Sequence, residues 1–281
     1  MSLSWLELLT EKLDPTDPSS RDVEAIRAAI PFLQFLRDVY FRAEGEGTEH
    51  IPTDQNFITV GVHSGGPLLP EVWLTLANWA TEIGIDRPAY ALIHDIALRV
   101  PGLNNLLIKL GALRACTRSA ENVLEAGHSL LVYPGGDAEA QRSFWNRNKI
   151  DFQGRTGFIK LAYRYGVPIV PVVNVGGHEV YFTAFSSRRL AQWTGLERLL
   201  RVQTLPLNFG LPWGMWWTGF IPYLPLPSKI VYKVGEPIYF ERNPELAEKP
   251  EALEAAYRQI TGTMQGMMDE LASRRRFPVI G

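Results

Sequence analysis

The sequence has few of the features that mark disulfide-bonded, metal-binding or nucleic-acid-binding proteins. Its single cysteine, Cys116, has no internal partner for a disulfide, which fits a reducing compartment. There is no CxxC pair and no cluster of histidines, so we expect no metal site. Lysine and arginine (28) nearly balance aspartate and glutamate (30). The formal net charge of −2 therefore gives no sign of a basic surface that would bind nucleic acid.

Long apolar runs are also missing. No stretch of about 18 apolar residues occurs, so we expect no transmembrane helix. The first residues lack a basic region followed by an apolar core, so we expect no signal peptide. They predict instead a short amphipathic helix with its apolar side formed by Trp5, Leu6, Leu8, Leu9 and Leu13.

The composition is that of a globular protein, with 46% hydrophobic and 21% charged residues among 281. Short apolar runs alternate with helical spacing, which predicts a single α/β domain with a largely parallel or mixed central sheet flanked by helices. We divide it into N-terminal helices for packing or membrane-surface binding (1–44), an α/β core (45–240), and a C-terminal helix and tail (241–281). Helical spacing over about 21–42 contains Pro31, where we expect a kink or two joined helices.

The most informative stretch is a predicted strand, Phe57 to Val62, that ends in His63-Ser64-Gly65-Gly66 and is followed by a helix beginning near Pro70. It presents a histidine at the carboxyl end of a buried strand, where open α/β sheets bind their ligands. A histidine at a strand end can equally be packed or hydrogen-bonded without catalytic duty.

Two later strands end in similar turns. One runs into Tyr133-Pro-Gly135-Gly136-Asp-Ala-Glu139, and another into Gly176-Gly-His178-Glu179. Glycine-rich turns let backbone amides face an anion or an oxyanion, although Pro-Gly-Gly is also common in plain turns. Three such strand ends at one sheet edge predict a site there.

The order of these motifs resembles the glycerolipid acyltransferase superfamily, specifically its branch of diacylglycerol and monoacylglycerol acyltransferase-like proteins. The resemblance covers about residues 45–240. It is carried by His63-Ser-Gly-Gly66, Gly111 with Arg118, Tyr133-Pro-Gly-Gly-Asp-Ala-Glu139, Arg155-Thr-Gly-Phe-Ile-Lys160-Leu-Ala162, Val167-Pro-Ile-Val-Pro171, His178-Glu-Val-Tyr181 and Gly235-Glu-Pro-Ile238, the last similar to the family's terminal strand.

The resemblance implies an acyltransferase that moves a fatty acyl chain from acyl-CoA, a co-substrate rather than a bound cofactor, onto a lipid hydroxyl. It implies a cytoplasmic protein attached peripherally to the inner face of a membrane, in an oligomeric state that the sequence leaves open. We assign His63 as general base and Glu71 as its partner carboxylate. Candidates for oxyanion or substrate binding are Ser64, Gly65, Gly66, Gly135, Gly136, Glu139, His178 and Glu179, with Arg118, Arg155 and Lys160 for the phosphates of coenzyme A.

The sequence departs from the superfamily pattern at two positions. An aspartate is usual five positions after the histidine, but Leu68 stands there and the nearest carboxylate is Glu71. On a straight helix those eight positions would span about 12 Å, so the intervening turn must fold back. In the phosphate-accepting branch an arginine stands where this chain has Ala138, which favours a neutral glycerolipid or alcohol as acceptor over a lysophospholipid.

Two other functions remain open at this point. The segment Val62-His-Ser64-Gly-Gly66 approximates the nucleophile elbow of α/β-hydrolases, with Ser64 as nucleophile. Without the usual aspartate, the chain could also be a non-catalytic lipid-binding protein on an acyltransferase scaffold.

Two segments are candidates for lipid contact. Residues 205–223 are uncharged, irregular and rich in tryptophan (Trp213, Trp216, Trp217), which predicts an interfacial loop or the wall of an acyl tunnel. The C-terminal helix, over about 250–274, ends in Arg274-Arg-Arg276, which could touch anionic lipid or complement the helix dipole.

Overall fold

A seven-stranded mixed sheet forms the centre of the molecule in the computed structural model, which describes residues 9–195, 198, 203–218, 221 and 223–281. The strand order is β1-β10-β6-β2-β5-β3-β4, and the five strands from β6 to β4 run parallel. The described strands are β1 (Glu44–Glu46), β2 (Ile58–Gly61), β3 (Ala89–Ile93), β4 (Ala112–Arg114), β5 (Ser129–Val132), β6 (Ile169–Val175), β7 (Phe182–Ser187), β8 (Leu205–Gly210), β9 (Gly214–Trp217) and β10 (Val231–Val234).

Helices cover both faces of this sheet, as the alternation of patterns predicts. The described α-helices of the chain are α1 (Val23–Gln34), α2 (Pro70–Asn78), α3 (Leu103–Lys109), α4 (Thr117–Glu125), α5 (Gly136–Ala140), α6 (Gly157–Tyr165), α7 (Arg188–Trp193) and α8 (Pro250–Arg274). The predicted α/β domain with a largely parallel or mixed sheet is therefore confirmed.

The central strands are apolar because both of their faces are covered. All residues of β2 and β5 are buried, and four of them, Ile58, Val60, Leu130 and Val132, belong to one large apolar core. The long helix α8 packs on this core through Ile260, Met264 and Met268, which are fully buried and recur at helical spacing.

Two sequence-based expectations concern the N-terminal part. Pro31 lies inside α1, and a π-helical turn over Phe35–Tyr40 follows α1 directly, so the kink at Pro31 stays a prediction. In the predicted amphipathic helix, Trp5, Leu6 and Leu8 lie outside the described residues, whereas Leu9 is helical and exposed. Among the described residues, no helix combines the length and the apolar character that a membrane span requires.

The tryptophan-rich segment is more regular than its composition suggests. Strands β8 and β9 form an antiparallel hairpin, and β7 completes a second, three-stranded sheet in the order β7-β8-β9. Gly210, Pro212 and Gly214 lie at the hairpin turn and the strand ends beside it, and Pro206 is the second residue of the central strand β8, near its start. The irregularity predicted for residues 205–217 is therefore wrong, whereas their role at an interface or in the wall of an acyl tunnel stays a prediction. Likewise, Gly235 to Ile238 follow β10 instead of forming a strand, although Ile238 bridges Ile169.

Candidate active site

His63 lies directly beyond β2, between the ends of the two strands that flank β2 in the sheet. Its backbone N–H donates to Oε2 of Glu139, on the β5 side, at 2.9 Å. Its carbonyl oxygen accepts from Nε2 of His178, on the β6 side, at 3.1 Å. The residues that follow β2, β5 and β6 therefore meet at one place, as predicted, and hydrogen bonds hold the His63 backbone from both sides.

A tight turn brings Glu71 back to His63. Gly65, Gly66 and Leu69 all have left-handed backbone angles, with φ of 65°, 58° and 45°, and α2 begins immediately afterwards at Pro70. A Cβ on Gly66 would lie 2.2 Å from the Tyr181 hydroxyl, so the turn has no room for a side chain there. The result is a contact of 2.8 Å between Nδ1 of His63 and Oε1 of Glu71.

This contact sets the protonation pattern of the imidazole. A carboxylate can only accept a hydrogen bond, so the proton of a neutral His63 lies on Nδ1 and the lone pair on Nε2. Glu71 is buried at 4% exposure, whereas the His63 side chain retains 14%. The free nitrogen is therefore on the more accessible member of the pair, as a general base requires.

Ser64 lies on the inner side of the same pair. Its Oγ is 2.9 Å from Oε2 of Glu71 and 3.0 Å from Oδ1 of Asn174, so its one proton serves these two acceptors alternately. Asn174 also donates to the carbonyl oxygen of Val62 at 3.0 Å. Since Ser64 is only 1% exposed, it holds Glu71 in place from behind and does not present its hydroxyl to a substrate.

An aromatic ring supports His63 from one side. The ring of Tyr133 stacks on the imidazole with centroids 4.4 Å apart and planes 13° from parallel. The tyrosine hydroxyl is 3.1 Å from Oγ1 of Thr75, and burial raises the pKa of Tyr133, which keeps the ring neutral. The stack restricts rotation of the imidazole and leaves its Nε2 edge unobstructed by Tyr133.

Glu139 supports the backbone of the site. One oxygen pairs with Arg142 at 2.7 Å and the other accepts from the His63 amide. Burial raises the pKa of Glu139 to about 7, against the opposing effects of Arg142 and the His63 N–H. Because both oxygens already have protein partners, the geometry fits positioning better than direct substrate binding.

His178 and its neighbour Glu179 point in different directions. Burial, with Arg142 nearby, lowers the pKa of His178 well below its usual value, so the ring is neutral and donates to His63. The Glu179 carboxylate instead binds Arg275 at 2.5 Å and the Val279 amide at 2.8 Å. The structure thus brings His178 into the site and ties Glu179 to the C-terminal tail.

The three basic candidates are dispersed. Arg155 donates to the carbonyl oxygen of Pro134 and lies against Gly136, so it borders the site. Arg118 is exposed at the start of α4, on the same sheet edge but three strands from β2, which is about 14 Å at the usual strand spacing. Lys160 pairs with Glu248 at 3.4 Å on the outer surface of α6.

The Pro-Gly-Gly turn lies beside His63. A Cβ on Gly135 would lie 2.2 Å from Oε2 of Glu139, so this residue must be glycine for Glu139 to reach the histidine amide. The Gly136 amide donates to the Tyr133 carbonyl at 3.3 Å and is already partly engaged in the turn. The Gly136 amide is therefore less available for the oxyanion role predicted for it.

Three residues of this network were not assigned by the sequence reasoning: Tyr133, Arg142 and Asn174. Asn174 carries a recognisable signal, because it is a polar residue near the end of an otherwise apolar strand. Tyr133 stands at a strand end inside a quoted motif. Arg142 has no such signal, since an arginine one turn after a glutamate is usually a solvated surface pair.

A largely parallel sheet with a partly buried His–carboxylate pair at its carboxyl edge places the chain among α/β proteins whose candidate site can transfer a proton. The fold is that of the 1-acyl-sn-glycerophosphate (LPA) acyltransferase PlsC from Thermotoga maritima, which is 20% identical and superimposes with a TM-score of 0.54 over 90% of this chain and 84% of that one. Residues 19–272 match the model of the diacylglycerol acyltransferase family. The chain belongs to this family.

Individual relatives agree with the assignment. An uncharacterized protein of Mycobacterium leprae is 31% identical over 209 residues, which is 74% of this chain and 54% of that protein. Human diacylglycerol O-acyltransferase 2 is 29% identical over 215 residues, which is 73% of this chain and 54% of the human protein. The chain thus spans about half the length of the curated relatives it matches.

Proposed function

We propose that this protein is an acyl-CoA-dependent O-acyltransferase that moves a fatty acyl chain onto the hydroxyl of a neutral glycerolipid or related alcohol. The observation that carries the proposal is the contact between His63 and Glu71. It provides a histidine whose lone pair lies on Nε2, a buried carboxylate to stabilise its charged form, and an imidazole side chain that keeps 14% exposure.

In the proposed reaction the acceptor hydroxyl gives its proton to Nε2 of His63 while its oxygen attacks the thioester carbonyl carbon. The new ester C–O bond forms as the C–S bond breaks, and the coenzyme A thiolate takes the proton back from the imidazolium. General-base catalysis of this kind contributes about 10²–10⁴-fold in rate. Glu71 stabilises the imidazolium that exists between these two proton transfers.

The turn after β5 is the proposed oxyanion site. The Gly135 region lies beside His63 through the Glu139 bridge, and a backbone amide there can face the carbonyl oxygen as charge develops on it. Arg155, next to this turn, is the best placed of the three basic candidates for a phosphate of coenzyme A. Arg118 would serve only a more distant part of that molecule.

The proposed acceptor is neutral because of Ala138. This residue stands on α5, next to the oxyanion turn, where the phosphate-accepting branch has an arginine. The nearby Arg142 does not replace it, since its guanidinium is buried and paired with Glu139. A lysophospholipid phosphate would therefore meet no matching charge at that position.

Two alternative functions are less well supported. A serine hydrolase needs an exposed nucleophile, but Ser64 is 1% exposed and bonded to Glu71 and Asn174. A non-catalytic lipid-binding protein would not need the buried carboxylate behind the imidazole, which is costly to bury unless it has a charged or polar partner. We also propose that the protein works at the surface of a membrane, on its cytoplasmic inner face, because its proposed acceptor is a membrane lipid.

The test is a turnover assay with acyl-CoA that compares diacylglycerol, monoacylglycerol and lysophosphatidate side by side under the same conditions. We expect ester formation with stoichiometric release of free coenzyme A thiol, and a higher kcat/KM for the neutral acceptors. A preference for lysophosphatidate would reject the assignment based on Ala138. Absence of thiol release with every acceptor, from a folded protein, would favour the lipid-binding alternative.

A further inference from the structure

The second sheet has an unusual distribution of side chains between its two faces. Residues paired directly across antiparallel strands share a face. On the inner face, Thr183, Asn208 and Trp216 lie in one row and are all buried. Thr183 donates to Oδ1 of Asn208 at 2.9 Å, and Asn208 donates to the Thr218 carbonyl at 3.0 Å. The polar side chains of this sheet thus point inward.

The outer face is apolar. It consists of two cross-strand rows, Phe182–Phe209–Met215 and Phe185–Leu207–Trp217. Phe185, Met215 and Trp217 are 45%, 59% and 47% exposed, and the hairpin tip adds Leu211 and Trp213 at 54% and 56%. Antiparallel sheets at a protein surface normally face water with polar residues. This inversion marks a surface that meets something other than water.

We infer that this outer face, defined by Phe185, Leu207, Phe209, Met215 and Trp217 with the tip residues Leu211 and Trp213, docks the protein on a lipid bilayer that carries anionic headgroups. Tryptophan is favoured at the interface between headgroups and acyl chains, where its ring is removed from water and its N–H can still form hydrogen bonds. The inference rests on the proposed function, because an enzyme whose acceptor is a membrane lipid must reach the bilayer.

Charge supports a membrane over a neutral apolar partner. Residues 182–224 contain four arginines and one glutamate, whereas the whole chain has a formal net charge of −2. Two of these arginines, Arg188 and Arg189, are exposed on α7, which follows β7 directly and also presents Trp193 at 84% exposure. An apolar face with an exposed basic helix at one end is complementary to an anionic bilayer surface.

The inner face connects this surface to the catalytic turn. Trp216 stacks on Tyr181, and Tyr181 lies against Gly66 of the turn between His63 and Glu71. Tyr223, which also packs on Tyr181, donates its hydroxyl proton to the carbonyl oxygen of Gly65. The docking face and the candidate active site are therefore two sides of one packed unit, and binding of the face brings the site to the bilayer.

The test is co-sedimentation with vesicles of phosphatidylcholine, with and without phosphatidylserine. The test variant carries Trp213→Ser, Met215→Ser and Trp217→Ser, and the buried Trp216 is left intact. Its matched control is Tyr239→Ser, because Tyr239 is 68% exposed but lies beyond β10, outside the second sheet. A third variant, Arg189→Gln, tests the charge.

We expect the triple variant to lower the partition coefficient on the order of 10–100-fold, from the apolar area that it removes. Tyr239→Ser should bind like wild type, while Arg189→Gln and added salt should weaken binding only to vesicles with phosphatidylserine. Unchanged binding of the triple variant with an unaltered melting temperature would overturn the inference. So would a wild-type dimer that the triple variant converts to monomer, because a second copy would then cover the face.

Turnover with detergent-dispersed substrates is measured on wild type in parallel. Vesicle binding that depends on the outer face, without any acyl transfer, would reject the proposed function and leave the docking surface standing. Acyl transfer without vesicle binding would reject the docking surface and leave the proposed function standing.

Discussion

Nδ1 of His63 lies 2.8 Å from Oε1 of Glu71, although a helix between them would hold their backbones far apart. Three left-handed residues in the intervening turn make the contact, and the Ser64 hydroxyl donates to the second carboxylate oxygen at 2.9 Å. The His63–Glu71 pair can therefore take the place of the usual pair in the superfamily, a histidine and an aspartate five positions later. Its chemical role is open to direct tests.

Glu71→Gln should lower kcat for acyl transfer on the order of 10²–10⁴-fold. The amide can offer its N–H to Nδ1, which would move the imidazole proton to Nε2 and remove the base, and it cannot stabilise the imidazolium. The control is Asp95→Asn, since Asp95 lies just after the carboxyl end of β3 but pairs with Arg114 at 3.1 Å. Near-normal kcat for Glu71→Gln would assign the partner role to another carboxylate.

His63 and Ser64 are adjacent, and the acyltransferase and hydrolase mechanisms assign them opposite importance. His63→Ala should lose 10²–10⁴-fold in kcat, on the order expected for a lost general base. Ser64→Ala should cost about tenfold or less, because it removes only a hydrogen bond behind Glu71. A serine-directed fluorophosphonate should not label the wild-type protein. Rapid labelling of Ser64 together with an active His63→Ala variant would reject the acyltransferase mechanism.

His178 should make the fold sensitive to mild acid. Burial holds its folded-state pKa well below 6.5, so the unfolded chain takes up a proton that the folded chain cannot. The stability from this group is therefore present above the unfolded pKa and is lost as pH falls. His178→Gln keeps a donor to the His63 carbonyl without this titration. Between about pH 7 and pH 5, thermal unfolding should show wild type losing stability relative to the variant. Parallel curves would contradict the assignment.

Arg275 should stabilise the protein through a buried ion pair. The Arg275 side chain is 7% exposed, and its guanidinium lies 2.5 Å from the Glu179 carboxylate, which also accepts from the Val279 amide. Arg275→Met leaves that buried carboxylate with Arg147, 3.5 Å from its other oxygen, as its remaining charge partner, and should lower the free energy of unfolding by about 2 kcal/mol. Arg276→Met is the matched control, because Arg276 is exposed. Urea unfolding of both variants makes the comparison, and equal stabilities would show that the pair is dispensable.

The elements that local patterns define could be predicted with good accuracy. The apolar run before His63 became β2, and the predicted helix over 250–274 became α8 with the same bounds. Hydrophobic periodicity specifies these elements because burial acts on each residue according to the face it occupies. The convergence of three strand ends followed from the parallel sheet that the alternation of helices and strands required.

Other features depend on contacts between distant parts of the chain. The sequence shows three consecutive arginines, 274 to 276. It does not show which of them contacts lipid and which contacts protein. Arg275 enters the interior because Glu179, 96 positions earlier, is buried beside it. The tryptophan segment likewise could be recognised as unusual, but its division into a buried Trp216 and exposed Trp213 and Trp217 required the pairing with β7.

The sequence by itself determined the α/β class, the sheet edge that holds the site and the histidine at its centre, because each depends on short-range pattern. Only the tertiary structure decided which carboxylate meets that histidine, that Ser64 points inward, and that the second sheet turns its apolar face outward. These depend on backbone angles in a glycine turn and on which face of a strand meets the core. A strand alternates its side chains between two faces, and in the second sheet the alternation alone does not show that the face with Thr183 and Asn208 is the buried one.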